Sequence, residues 1–384
     1  MTILKFEFKK LIKNKVNFII MLGILLLTMV SILVPNYSAE SELDYFRSEL
    51  STNKSVYNEL KDTPEAEVVV ADTQEVIGYL DSLISSLETG MYEDALQYEL
   101  KFQNKLYEDM RAGRLVGGVS HIEQERTVSE LDYLYTNGYS KNREVSTFEF
   151  PLANYLLFLF SSGIFPSLLI LMAISLLVSQ LITYDSRKNT YHLISILPTK
   201  ISALNVSKYI MTSLFTLVSI LLPILIMSII VLIKNGVGNT NYPISRIIEN
   251  RSVEIMTTTS FVSQNIVFII LWTLTITSAS LLLYQFSGNT FLHVIFSLTF
   301  IILSQFDVFA SLLGDQNNTL LGYLPTSYVD FQTVITGGNG YYPLSANNIN
   351  FSNGVISLIF TSVLCLVVST IVSVVRKNKT NSLF

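Results

Sequence analysis

Six nearly unbroken apolar blocks constrain this chain more than any other feature: residues 17–34, 155–182, 209–233, 261–286, 291–313 and 355–375. Crossing the hydrocarbon core of a bilayer takes about 20 apolar residues in a helix. None of the six blocks carries Lys or Arg. Backbone groups find no water in lipid, so each block is expected to be helical. Composition points the same way: 50% of the 384 residues are hydrophobic and 14% are charged, too apolar a balance for a soluble chain of this length. The expected fold class is an all-α integral membrane protein. It has six transmembrane helices and a mostly helical extracellular domain inserted between helices one and two.

Lys and Arg decide the orientation, because they accumulate on the cytoplasmic side. Lys5, Lys9, Lys10, Lys13 and Lys15 precede the first block. Arg187, Lys188, Lys200 and Lys208 lie between the second and third, and Arg376, Lys377 and Lys379 follow the sixth. Against these 12 basic residues stand two acidic ones, Glu7 and Asp185. Residues 36–150 hold 10 basic and 23 acidic residues and belong outside. Six spans put both termini in the cytoplasm. No A-x-A-like site follows the first block, so it is expected to stay as a span rather than be cleaved as a signal peptide. The expected division is a cytosolic amphipathic helix over 1–16, spans over 17–34, 154–182, 209–233, 261–286, 290–313 and 354–375, and an extracellular domain over 35–153. A cytosolic loop covers 183–208, an extracellular re-entrant segment 314–353 and a cytosolic tail 376–384.

Within the extracellular domain apolar residues recur at helical spacing. Leu80, Leu83, Ile84 and Leu87 form one stripe, and Ala95, Tyr98, Phe102, Leu106 and Met110 a second. Thr89-Gly90 reads as the turn between them. Ser120 and Glu123 read as a capping box opening a helix with Val128, Leu131 and Tyr135 on its buried face. The acidity is either a solvated surface or, more sharply, an attraction for cationic peptides. The single cysteine, Cys365, lies in the sixth block, which excludes an intrachain disulfide.

The polar stretch YDSRKNTYHLISILPTKISALNVSK, 184–208, faces the cytoplasm on this reading. Thr190 can cap a short helix with Leu193, Ile194 and Leu197 on one face, and Pro198 ends it. Physics leaves two uses open: lying flat in the lipid interface or fitting a groove on a cytosolic partner. Polar residues inside the blocks are candidates of a different kind. Asp307 is the one acidic residue in any block, and intramembrane charge marks an ion or gate site unless it reaches water. His293 is expected at headgroup level or in helix packing. Gln264, Asn265, Gln285 and Gln305 are expected to bond between helices, and Trp272 to pack in the bundle. In 321–338, Tyr328, Phe331 and Ile335 share one helical face, Gly337-Gly338 would stop the helix, and Tyr328 and Phe331 join Asp307 as candidate pathway or gate residues. The 234–260 connection reads as a polar loop.

The 184–208 stretch resembles the signature of the ABC-2 family of ABC-transporter permeases. The matching positions are Asp185, Asn189-Thr190, Leu193 with Leu197, Pro198 and Lys208, with Asp in place of the usual Glu and Asn189 in place of the usual Gly. FEFKKLIKNK at the start also looks like the family's amphipathic helix, with Leu4, Phe8, Leu11 and Ile12 on its apolar side. The resemblance implies a permease subunit in the bacterial plasma membrane, paired with a second permease, identical or homologous, and resting on two ATP-hydrolysing subunits. The 190–198 helix would then be the coupling helix. Asp185, Arg187, Thr190, Leu193, Ile194, Leu197, Pro198 and Lys208 would be the ATPase-coupling residues. The chain holds no Gly-Lys pair and hence no P-loop, so it is not expected to be an enzyme. It needs no cofactor of its own; ATP and Mg²⁺ belong to the partner subunit. The expected function is export of an amphipathic or peptide-like substrate, such as an antimicrobial peptide or bacteriocin. The alternatives are an ion-coupled secondary transporter and a receptor or scaffold that senses ligands through its extracellular domain.

Overall fold

The computed structural model describes residues 15–33, 39–114, 119–141, 150–161, 166–187, 201–248, 252–302, 321–338 and 348–381. It is overwhelmingly helical. Three helices are long and apolar enough to cross a membrane: Ser202–Asn235, Thr258–Tyr284 and Phe351–Val375. Shorter apolar stretches cover Lys15–Met29, Leu152–Ser161, Ser167–Ile182 and Thr290–Ile302.

In chain order the helices are α1 (Lys15–Leu33), α2 (Ala39–Leu60), α3 (Glu67–Glu88), α4 (Tyr92–Arg111), α5 (His121–Thr136), α6 (Leu152–Ser161), α7 (Ser167–Ile182) and the single turn α8 (Tyr184–Arg187). They continue as α9 (Ile201–Asn235), α10 (Thr258–Tyr284), α11 (Thr290–Ile302), α12 (Phe331–Thr336) and α13 (Phe351–Asn381). Between α9 and α10 stand two strands, β1 (Pro243–Ile247) and β2 (Val253–Thr257), paired antiparallel with Ser245 opposite Ile255. The 234–260 connection is therefore a hairpin, not a plain polar loop. Its alternating burial, with Pro243, Ser245 and Ile247 inward, is the period of two that a half-buried strand shows.

The second apolar block is also not one helix. Pro166, in an extended conformation, is the N-cap of α7 and lacks an amide proton for a helix running through from α6. The two helices stand on either side of residues 162–165, which lie outside the described set, as do 303–313 of the fifth block.

Helix α10 is the axis of the bundle. It touches α6, α7, α9, α11, α12, α13 and both strands. It is apolar around its whole circumference, the pattern of a helix enclosed on all sides. Phe268, Ile269, Trp272 and Leu281 are fully buried along it. Small hydroxyl residues fill the remaining seams, and most bond to carbonyls of their own helix, as Thr273 does to Ile269 (2.8 Å) and Thr277 to Thr273. Asn265 and Gln285 likewise bond within α10, to Phe261 and Leu281, and Gln264 bonds to Ser260 Oγ. The expectation that these amides bridge helices is not met by these three, whose amide nitrogens reach a carbonyl or hydroxyl one turn back, and Gln305 lies outside the described residues. Interhelical polar contacts come instead from Asn205 to Ser373 (2.6 Å), Tyr209 with Ser362 (3.1 Å) and Thr275 to the Leu358 carbonyl (3.1 Å).

Helices α2–α5 form a separate layer, each packed on the next. Phe46, Val76, Leu80, Leu83, Ile84, Ala95 and Phe102 make its main core, with Leu87, Tyr98 and Leu106 at the margin. The two predicted stripes thus face each other. Gly90, at φ 75, makes the turn between α3 and α4, and Ser120 Oγ accepts the Glu123 amide as the cap of α5. Leu131 is buried as expected, but Tyr135 is 46% exposed and Leu134 takes its place in the core, at 2%. Leu134 packs with Leu96, Leu100 and Leu131, which turns the contact face of α5 by one residue. Lys141 closes the layer by gripping Glu42 (2.7 Å) and the buried Glu99 (2.6 Å), so the two chain ends of the unit meet. Lys105 donates to Asp72 (2.6 Å), and that bond holds the Asp72 carboxyl below, and the Lys105 ammonium above, its ordinary value.

Phe102→Ala removes a ring that is 1% exposed and should cost about 3–5 kcal/mol, whereas Tyr135→Ala should change stability by less than about 0.5 kcal/mol. Hydrogen exchange of α3 and α4 in the full-length protein distinguishes the two.

Candidate functional site

At the end of the bundle where the chain enters and leaves 188–200, the polar residues converge. Asp185 on α8 and Lys208 on α9 form an ion pair of 3.0 Å, with side chains 4% and 3% exposed. The Lys208 ammonium also lies 4.0 Å from the centre of the Tyr284 ring, in the last turn of α10. Ser186 donates to the Tyr284 hydroxyl (3.2 Å). One turn earlier, Thr183 donates to the Ser179 carbonyl (2.7 Å), so the 2.6 Å contact between Thr183 and Thr290 has Thr290 as donor.

The turn from α10 to α11 completes the cluster. A Cβ on Gly288 would lie 2.3 Å from Ser186 Oγ, so only glycine lets this turn close on α8. His293 is 1% exposed and its Nε2 lies 2.9 Å from the Ser287 carbonyl. A carbonyl only accepts, so Nε2 carries the proton and Nδ1 is the basic nitrogen.

Charges this deep persist only when paired, and removing one partner leaves the other exposed to the full desolvation cost. The cation–π contact adds about 1–2 kcal/mol in such a dry setting. The result is a clamp. The turn α8 before residues 188–200 and the helix α9 after them are tied to each other and to α10 at one point.

The opposite end of the bundle carries a second lock. Arg126 of α5 donates from Nε to Ser245 Oγ (2.9 Å) and from a terminal nitrogen to the Ser245 carbonyl (3.0 Å). Its other terminal nitrogen reaches Glu123 (3.2 Å) and the Gly338 carbonyl (3.5 Å). Glu130 accepts the Ser245 amide (2.8 Å). Gly337, at φ 79, ends α12 as expected. A side chain there would lie 2.0 Å from the Ile247 carbonyl, so the hairpin rests directly on this backbone.

Tyr328 and Phe331 are both fully buried, but not on one helix. Tyr328 ends a 3-10 turn, Pro325–Tyr328, and Asp330 caps α12 after a break, so the predicted continuous face is two faces. Both rings stack on Phe268, at 6.3 and 5.7 Å. Trp272 donates to the Tyr328 carbonyl (2.9 Å), and Ser167 at the head of α7 donates to Asp330 (3.1 Å).

Of the sequence-derived candidates, the structure brings Asp185 and Lys208 together and places Arg187 at the end of α8. It buries Tyr328 and Phe331 at the far end of the bundle. Thr190, Leu193, Ile194, Leu197, Pro198 and Asp307 lie outside the described residues, as does the amphipathic start with Leu4, Phe8, Leu11 and Ile12. Tyr284, Ser186, Gly288 and Thr290 at one end, and Arg126, Glu130 and Ser245 at the other, were not singled out by their spacing. A tyrosine in the last turn of an apolar block is the trace that Tyr284 leaves in the sequence. Among the described residues no group of His, Cys, Asp and Glu could hold a metal ion.

Comparison with known proteins finds no matching family model, no matching curated protein and no matching solved structure.

Asp185→Asn or Lys208→Met alone should destabilise the fold by about 3–5 kcal/mol, and the apolar pair Asp185→Leu with Lys208→Met should recover most of it. Thermal unfolding in detergent reads the difference. At the other lock, Arg126→Ala should lose about 1.5–3 kcal/mol of charged hydrogen bonding and accelerate hydrogen exchange at β1 and Gly338. Arg126→Lys should rescue little, since an ammonium cannot form the fork.

Proposed function

We propose that this chain is the permease subunit of an ATP-driven exporter of the ABC-2 type. It spans the bacterial plasma membrane six times with both termini in the cytoplasm, and it carries α2–α5 outside. Two separate ATPase subunits, which hold ATP and Mg²⁺, dock on the 188–200 segment. A second permease, identical or homologous, completes the translocation path. The substrate class is amphipathic or peptide-like.

The observation that carries this reading is the buried Asp185–Lys208 pair. A segment that passes mechanical work into a membrane bundle has to be stiffly joined to it at both ends. Here the first and last residues of the motif are joined to each other at 3.0 Å, and the lysine lies over the ring of Tyr284 of the central helix. Displacing the segment then moves α7, α9 and α10 as packed rods rather than bending a loop. Leu193, Ile194 and Leu197 supply the apolar face for the ATPase groove, Thr190 and Pro198 set its ends, and Arg187 adds charge at its base.

Affinity purification of the full-length protein from its native membrane should bring down a P-loop ATPase. Leu193→Asp should lower the co-purified ATPase about tenfold, the loss expected from placing a charge in an apolar groove, while the amount of permease in the membrane stays the same. Undiminished ATPase recovery with that variant would overturn the assignment of this segment as the docking element.

A further inference from the structure

Helices α2 and α3 run on well past the core that holds α2–α5 together. Every residue from Ser51 to Asp72 is at least partly exposed, and burial resumes at Thr73. The last ten residues of α2 alone make an arm of about 15 Å. Its end is neither plainly polar nor self-covered: Val56, Val68 and Val69 are 37%, 69% and 48% exposed. Between Val56 and Val69 stand Glu59, Asp62, Glu65 and Glu67, all exposed, against the single cation Lys61. The neighbouring cations are already engaged: Lys54 with Asp81, Lys105 with Asp72 and Glu75, Arg114 with Asp109 and Asp72, and Arg111 over the Tyr107 ring.

We infer that the tip of this α2–α3 arm, residues 56–69, is a docking surface for a cationic amphipathic peptide. Three exposed valines put apolar surface at the tip of a charged helical hairpin, and the acids beside them in the chain select what can cover it. A second copy of the arm would set acid against acid, and an anionic lipid surface would be repelled for the same reason. A partner with basic residues around an apolar strip matches both components at once. This inference narrows the peptide-like class proposed above and names where it is captured, but the binding claim needs neither ATP nor transport.

The test uses the full-length protein in phosphatidylcholine nanodiscs, titrated with a fluorescein-labelled helical peptide of lysine and leucine and followed by anisotropy. The parent should bind more tightly than empty discs, and added salt should weaken it. The variant E59Q/D62N/E65Q/E67Q should lose about tenfold or more in affinity. V68S/V69S should lose a comparable factor at unchanged charge. All six positions are exposed, so both variants should keep the parent's thermal unfolding and the parent's ATPase recovery. Parental affinity in either variant overturns the inference: in both, the site lies elsewhere, and in V68S/V69S alone, the attraction is unspecific charge. A change of oligomeric state in place of peptide affinity assigns the arm to self-association and overturns it as well. Failure here with normal ATPase recovery leaves the transport reading standing, and the reverse result leaves the docking surface standing.

Discussion

A lysine and an aspartate sealed together at 3.0 Å, out of contact with water, set the terms for everything around them. Each charge on its own would be too costly to bury, so the pair forms only if α8 and α9 meet in one register. That register brings the start of α9 alongside the end of α7 and places Tyr284 under the ammonium. The interaction contributes little net stability for its size, because desolvation cancels most of the Coulomb attraction. What it supplies is a unique alignment, since a slip of one residue on either helix would strand a charge among apolar neighbours.

Two rods carry this alignment across the bundle. Helix α7 ends beside the clamp, where Thr183 meets Thr290, and begins at Ser167, which is bonded to Asp330. Helix α10 ends at Tyr284 and carries Phe268 and Trp272 against Tyr328 and Phe331. From there α12 passes through Gly337 to β1, and Ser245 passes to Arg126 of α5. Each link is a hydrogen bond or a close contact between rigid elements. The clamp and the α2–α5 layer are therefore joined by an unbroken series of contacts.

Elements whose evidence lies within a dozen residues were legible in the sequence. The long apolar helices, the facing stripes of α3 and α4, the Gly90 turn, the Ser120 cap and the Gly337 stop all follow from local spacing or local backbone chemistry. What was hidden depends on long-range juxtaposition. Asp185 and Lys208 each stood out as a polar residue beside an apolar block, but nothing in either neighbourhood says that the two face one another across 23 positions. The hairpin was hidden for another reason: its inward residue Ser245 is polar and is satisfied by Arg126 and Glu130, more than 100 residues away. Tyr135 was misplaced because α5 has two partners, and the face toward α4 and the face toward β1 lie one residue apart around the helix.

The same reasoning explains why the interior amides gave a misleading signal. In lipid or in a tight bundle, an amide or hydroxyl that can reach a carbonyl one turn back satisfies itself without help from a neighbour. Thr273 and Thr277 do so, as does the amide nitrogen of Asn265, and they leave helix pairing to shape and to the few groups that cross over. Small hydroxyl side chains then serve to let backbones approach, while a handful of longer polar residues, Asn205 toward Ser373 and Tyr209 toward Ser362, fix register on α9. Polarity inside such a bundle is thus mostly local bookkeeping. Specificity sits at its two ends, where charge and backbone from different helices meet.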